Sequence, residues 1–184
     1  MLDEFKADLC TYTDIQIVRK YILNGGCHAL TEHQHYELKE RICEHFKIQF
    51  NDVIVVGSGK LGFSIKPNKR YQPFGDESDI DIAVVSTELF TKTWEAAHKF
   101  KKSGAYWPRC TDFFRYLSEG WIRPDKLPSS EYFDFTELWW NFFNQITASK
   151  DFGPFKIRAG LYHSTFFMQE YQKICISQCI EELK

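Results

Sequence analysis

Two runs of β-branched residues, DVIVV at 52–56 and DIDIAVV at 79–85, constrain the fold of this chain more than any other feature. Each run is short, rich in valine and isoleucine, and bounded by glycine, proline or serine, which is typical of buried strands. The first run ends at the glycine-rich stretch GSGKLG, and a loop with two prolines at 66–78 precedes the second. The sequence therefore predicts two core strands separated by a turn and a long loop.

Helical patterns flank these strands on both sides. Apolar residues recur at helical spacing within 14–24, and Thr31 begins a helix to residue 46 with Gln34 completing a capping box. Further helices are predicted from Ser86 to about 102, near 111–118, near 135–147 and at about 164–183. In the last of these, four side chains share one row: Phe167, Tyr171, Ile174 and Gln178. A third strand is predicted at 155–162. This alternation predicts one α/β domain over residues 1–184, a small mixed sheet with flanking helices and a motif core at about 50–86.

Charge and cysteine usage exclude several classes of protein. With 23 Lys and Arg against 25 Asp and Glu, the formal net charge is −2, so the chain lacks the global basic field of a non-specific nucleic-acid binder. None of the six cysteines forms a C-x-x-C pair, which favours reduced thiols over disulfides or a zinc site. The acidic N-terminal segment and the lack of a long apolar run predict a cytoplasmic protein without membrane association.

The glycine-rich stretch does not match a phosphate-binding P-loop. That motif requires G-x-x-x-x-G-K-[ST], but Ile54 stands five positions before Gly59 and Leu61 follows Lys60. The first glycine and the magnesium-binding hydroxyl are therefore both missing.

The same stretch fits the dinucleotide-binding pattern G-x-G-x-x-G more closely. In that motif the third glycine leads into a long helix, and the ribose-binding acid lies at the end of the second strand. Here Pro67 interrupts any such helix, and Asp79 and Asp81 open their strand instead of ending it. A dinucleotide-dependent oxidoreductase is therefore a third alternative, which would bind NAD(P) without any metal.

Asp79 and Asp81 are the strongest candidates for a functional site. Side chains alternate along a strand, so both acids point to one face while Ile80 and Ile82 point into the core. Two carboxylates about 7 Å apart repel each other, and a divalent cation such as Mg²⁺ or Mn²⁺ relieves that repulsion. Such acids support in-line displacement at phosphorus, and a glycine-serine turn offers N–H groups and a hydroxyl to triphosphate oxygens.

These two motifs together resemble a known signature. Gly57-Ser58 followed by Asp79-Ile80-Asp81-Ile82 resembles the hG[GS]…Dh[DE]h pattern of the nucleotidyltransferase superfamily, which has the DNA polymerase beta-like fold. The longer stretches GSGKLGFSI and FGDESDIDIAVVS resemble bacterial stand-alone nucleotidyltransferase-domain proteins. The resemblance implies that Gly57 and Ser58 bind the nucleotide and that Asp79 and Asp81 are catalytic ligands of Mg²⁺ or Mn²⁺. The implied reaction transfers a nucleoside monophosphate from an NTP to an acceptor, which is a protein, an RNA or a small molecule.

The sequence departs from that pattern at the third carboxylate, which active members of the family carry on a later strand. The strand predicted at 155–162 contains no acid and offers Arg158 instead. Asp134 is the best substitute, and Asp112 and Asp151 are less well placed. A catalytically inactive nucleotidyltransferase-like module that binds nucleotide or a protein is therefore the main alternative.

Other residues have two interpretations each. Lys60 directly follows the turn and is predicted to contact a phosphate as a compact point charge; the alternative is that it is solvated, like most lysines beside loops. A basic loop cluster either steers a polyanion or is simply solvated; it consists of Lys66, Lys69 and Arg70. A segment with aromatic and basic residues either stacks on a nucleotide base or packs in the core; it contains Trp121, Arg123 and Lys126. Four aromatic residues are predicted to face either a core or a subunit interface: Trp139, Trp140, Phe142 and Phe143. The C-terminal helix allows pairing with a second copy, which would form a homo-oligomer, or with a protein partner.

Overall fold

The computed structural model describes residues 1–183, in which eight helices surround a four-stranded sheet. The helices are α1 (Leu2–Leu9), α2 (Asp14–Ile17, continued by a π-helical segment over Val18–Leu23), α3 (Glu32–Phe46), α4 (Gly57–Leu61), α5 (Thr87–Lys102), α6 (Cys110–Ser118), α7 (Asp134–Ser149) and α8 (Thr165–Glu181). The strands are β1 (Val53–Val56), β2 (Asp79–Val85), β3 (Trp121–Ile122) and β4 (Lys156–Tyr162). The predicted mixed α/β class is confirmed.

The strands pair in the order β1-β2-β4-β3. β1 is antiparallel to β2, β2 is parallel to β4, and β3 is antiparallel to β4. A dinucleotide-binding unit instead joins two parallel strands through a helix that follows the glycines. Because the glycine-rich stretch here connects two antiparallel strands, the dinucleotide-binding interpretation of GSGKLG is wrong.

Helices cover both faces of the sheet. On one face, Ile80 and Ile82 pack into a core built with α3, α5, α6 and α7. On the other face, Ala83 and Val85 pack with α1, α2 and α8. Asp79 and Asp81 share a face with Ala83 and Val85 because side chains alternate along β2. The two acids therefore lie on the α8 side of the sheet, at the end where β2 begins.

Caps confirm two predicted helix starts. The Gln34 N–H donates to Thr31 Oγ1 at 3.2 Å, and the Thr31 N–H donates to Gln34 Oε1 at 3.1 Å, so the predicted capping box begins α3. The Leu89 N–H donates to Ser86 Oγ at 3.2 Å and begins α5 in the same way. Each cap satisfies N–H groups that the first helical turn leaves without partners.

The structure also contains elements that the sequence patterns did not predict. α1 and the two-residue strand β3 were both missed, since each offers too few apolar repeats to define a period. On α8 the buried row is the neighbouring one, formed by Met168, Gln172, Ile176 and Cys179, while Ile174 is exposed.

None of the helices within residues 1–183 has the length and apolar character needed to span a bilayer.

Candidate functional site

The register of three strands defines the surroundings of Asp81. Asp81 is the Cα partner of Val56 on β1 and of Arg158 on β4, and Asp79 is the partner of Lys156. Residues two apart along a strand share a face, and so do directly partnered residues on neighbouring strands. Asp79, Asp81 and Arg158 therefore lie together on one face of the sheet.

The turn after β1 contacts this group. Gly57 has a φ of +68°, and a Cβ atom at this position would lie 3.1 Å from Oδ2 of Asp81. Glycine is favoured here because it tolerates a positive φ and has no side chain between the backbone and the carboxylate. Ser58 follows in the first turn of α4 and is partly buried. The structure thus brings the glycine turn and Asp81 together.

The electrostatic surroundings of Asp81 combine burial with charges of both signs. Burial raises the pKa of its carboxyl group, the positive charges of Lys66 and Arg158 lower that pKa, and the negative charge of Asp79 raises it. Asp79 is more open, with 40% of its side chain exposed, and its Oδ2 lies 3.8 Å from Arg158 Nε. The site therefore carries two carboxylates and two positively charged side chains. The carboxylate of Asp81 is shielded from water, and that of Asp79 is accessible.

The structure brings none of the candidate third carboxylates to this face. Asp134 begins α7, which packs on the opposite face of the sheet. Asp112 pairs with Arg115 on α6 at 3.3 Å, and Asp151 pairs with Arg41 of α3 at 2.6 Å. Within residues 1–183 no three His, Cys, Asp or Glu side chains are grouped closely enough to hold a metal ion by themselves. The substitution of Asp134 for the third acid is therefore not supported.

Lys60 is engaged away from the acids. Its side chain is buried at 6% exposure, and its Nζ donates to three main-chain carbonyl groups at 2.6–2.8 Å, those of Asn24, Gly25 and Gly26. An ammonium group has three N–H donors, so all of them are used. Lys60 therefore holds the loop after the π-helical segment, and the predicted phosphate contact is not supported by this geometry.

Replacing Lys60 with methionine is expected to lower stability and to leave any ligand site at Asp81 unchanged. The change leaves three partly buried carbonyl groups without a donor, which should cost about 2 kcal/mol of unfolding free energy and about 4–8 °C in melting temperature. Thermal denaturation followed by circular dichroism measures this, with the exposed Lys69→Met as control. An unchanged melting temperature would contradict the structural role.

Lys66 is the loop residue whose charge reaches the acids. Its positive charge lowers the pKa of Asp81 and also that of Cys175 on α8, in both cases against the larger effect of burial. The neighbouring Arg70 is buried instead, with its guanidinium group against Glu182. The basic loop cluster, for which the sequence left steering and simple solvation open, is thus divided: the charge of Lys66 acts on Asp81, and Arg70 ties the loop to the C-terminal end.

Three aromatic side chains continue the same face beyond Arg158. This aromatic shelf consists of Trp121 on β3, Tyr162 on β4 and Tyr171 on α8. The rings of Trp121 and Tyr162 are stacked with 2° between their planes, and the centre of Tyr171 lies 4.5 Å from that of Trp121. The predicted segment at 120–128 therefore contributes Trp121 to this face, and Arg123 lies over the indole ring at 5.2 Å.

One sequence signal for the shelf was available. Gly160 interrupts the predicted strand at 155–162, and a glycine inside a strand often marks the close approach of another group. Tyr171 and Lys66 carried no comparable signal, because their proximity to Asp81 depends on how α8 and the loop pack.

Comparison of the chain with protein-family models, with curated proteins and with solved structures gives no significant match.

Proposed function

We propose that this protein is a metal-dependent nucleotidyltransferase, which moves a nucleoside monophosphate from an NTP to a protein, an RNA or a small molecule. The observation that supports this most is the contact between the Gly57 turn and Asp81, with Asp79 on the same face of the sheet. A glycine-serine turn beside two carboxylates offers donors for phosphate oxygens and ligands for a cation within one small volume. A protein needs both kinds of group to bind a metal–triphosphate complex.

The two aspartates fit one divalent cation such as Mg²⁺ or Mn²⁺. Burial and the charge of Asp79 both disfavour the ionised form of Asp81, and a cation shared by both acids relieves this. Mg²⁺ is usually held by one or two carboxylates together with substrate phosphates, so two acids suffice for one ion. When bound there, the ion would neutralise charge on the phosphates of the substrate.

The side chains around the acids supply the remaining contacts. In the proposed reaction, Gly57 and Ser58 bind oxygens of the triphosphate through main-chain N–H groups and the hydroxyl. Arg158 and Lys66, whose charges already act on Asp81, neutralise the pyrophosphate that leaves. These groups are held by the sheet and its flanking loop, so they orient the phosphates with little rearrangement.

A second candidate function is nucleotide binding without turnover. It is favoured by Arg158, which occupies the register position beside Asp81 where a third carboxylate would complete a two-metal site. The arginine also lies 3.8 Å from Asp79 and competes with a metal for that carboxylate. In this alternative the protein binds a metal–nucleotide complex without transferring a nucleoside monophosphate.

The experiment that tests both candidates compares two double variants of the full chain. Asp79→Ala/Asp81→Ala removes the proposed ligands, and Asp76→Ala/Glu77→Ala removes two exposed acids from the adjacent loop as a matched control. Each protein is incubated with α-labelled NTPs and Mg²⁺ or Mn²⁺, and both label transfer and binding are measured. We expect the first variant to lose activity by about a hundred-fold or more, the scale of a lost preorganised electrostatic contact.

The outcomes separate the candidates. Metal-dependent transfer that the Asp79/Asp81 variant loses and the control retains supports the transferase. Metal-dependent binding with no transfer in any protein supports the binding module. If nucleotide binding needs no metal, or is equal in all three proteins, both candidates are wrong.

A further inference from the structure

The indole ring of Trp121 packs over Gly160, which leaves space for it. A Cβ atom at position 160 would be 2.5 Å from the indole Nε1, so any larger residue would displace the ring. The indole N–H has no acceptor within residues 1–183, so ring contacts fix the position of Trp121 without a hydrogen bond. Gly160 lies two residues beyond Arg158 on β4, and the shelf therefore begins directly beside the charged group.

One ring of the shelf is buried and another is accessible to solvent. Tyr162 is only 3% exposed and supports the indole from within the second core, whereas Tyr171 is 41% exposed. Rings that are already packed against one another lose little conformational freedom when a planar ligand stacks on them. The exposed ring of Tyr171 thus offers an ordered aromatic surface on the α8 side.

The shelf and the acids lie on the same face of the sheet, because Asp81 is the partner of Arg158, and Arg158, Gly160 and Tyr162 alternate along β4. Burial raises the pKa of both Tyr162 and Tyr171, and the negative charge of Asp81 adds to that increase in each case. The charge of Arg123 acts on both tyrosines in the opposite direction. The charges of Asp81 and Arg123 therefore both act on the two tyrosines.

We infer that the aromatic shelf binds the base of the nucleotide whose phosphates lie at Gly57 and Asp81. This inference rests on the proposed function, which places the phosphates at that end. The surface then matches the two halves of a nucleotide, with cations and a glycine turn for the phosphates and stacked rings for the planar base. Tyr171 is the ring that contacts the base, and Trp121 and Tyr162 hold it in place.

Stacking determines which nucleotides are preferred. A base is bound through its planar face, which all four bases possess, so stacking discriminates by area more than by hydrogen-bonding pattern. ATP and GTP are therefore bound with similar affinity, and both more tightly than CTP and UTP. The protein takes a purine nucleotide as a class and does not select one base.

The test compares a nucleotide with a ligand that has phosphates but no base. Titration calorimetry with Mg²⁺ measures the affinity of the full chain for α,β-methylene ATP, which resists transfer, and for inorganic tripolyphosphate. We expect the nucleotide to bind about ten-fold more tightly, the scale of one base–aromatic contact. Tyr171→Ala should abolish that difference and leave the affinity for tripolyphosphate unchanged, while Tyr171→Phe and the exposed control Tyr132→Ala should retain it.

The failures of the two proposals are distinguishable. If both ligands bind equally to the unsubstituted protein, or if Tyr171→Ala weakens both alike, the shelf does not bind the base and the phosphate site still stands. If neither ligand binds in a metal-dependent way, the proposed function and this inference both fail. Thermal denaturation of Tyr171→Ala shows whether the variant is folded. Tyr171→Phe keeps the ring and removes only the hydroxyl group, so it tests whether the aromatic ring itself binds the base.

Discussion

Exchanging Arg158 for aspartate is expected to raise the affinity for Mn²⁺, measured without nucleotide, by about ten-fold or more. Arg158 is the register partner of Asp81 and lies 3.8 Å from Asp79, so the new carboxylate would join two acids on one face. Solvent screens charges at this half-exposed position, so each charge change contributes about 1 kcal/mol. Losing the competing cation and gaining a ligand together exceed the roughly 1.4 kcal/mol of a ten-fold change. Transfer activity should appear or increase in the same variant if a third acid is what the site lacks.

Two further variants separate the causes of this effect. Arg158→Gln removes the competing cation without adding a ligand, and should raise Mn²⁺ affinity less than Arg158→Asp does. Lys102→Asp makes the same change of net charge at the exposed end of α5, on the other side of the sheet, and should have no effect. If Arg158→Asp binds Mn²⁺ no more tightly than Lys102→Asp, the proposed metal position is wrong.

Replacing Asp81 with asparagine is expected to stabilise the fold while abolishing metal-dependent nucleotide binding. Burial raises the pKa of Asp81, which means that the protein destabilises the ionised carboxylate at neutral pH. Asparagine has nearly the same shape and no charge, so the folded state should gain about 1 kcal/mol and about 2–4 °C in melting temperature. Urea and thermal denaturation at pH 7 measure the gain, and calorimetry with Mg²⁺ and nucleotide measures the loss.

Asp79→Asn is the matched comparison. Asp79 is 40% exposed and pairs with Arg158 at a surface distance of 3.8 Å, so its charge costs the folded state little. Its replacement should leave the melting temperature almost unchanged while weakening metal binding. An Asp81→Asn protein that melts at or below the temperature of the unsubstituted chain would contradict the prediction that the ionised carboxylate destabilises the fold.

Much of the acidic centre of the site was predictable from local patterns. Strand periodicity placed Asp79 and Asp81 opposite Ile80 and Ile82, and both isoleucines are buried in the core. The glycine turn after β1 was also evident from the sequence, since a glycine at a strand end indicates an unusual backbone conformation. These features depend on neighbours within a few residues, which a sequence pattern records.

The features that failed depend on contacts between distant segments. Lys60 follows the turn directly, yet its ammonium group binds carbonyl groups of a loop at 24–26, which no local pattern reveals. Asp134 has the right chemistry but begins a helix on the wrong face of the sheet. On α8, apolar residues occupy several sides of the helix, so spacing alone did not determine that Met168 and Ile176 are buried and Ile174 is not.

The parallel pairing of β2 with β4 also leads us to expect that the proposed site is completed late in folding. Residues 79–85 and 156–162 are far apart in the chain, so their pairing requires closure of a long loop, which slows folding. The β1–β2 pair joins nearer segments and can form without β4. Asp79 and Asp81 should therefore be ordered before Arg158 and Tyr162 reach them, and a nascent chain that ends before β4 would carry the acids without their basic and aromatic neighbours.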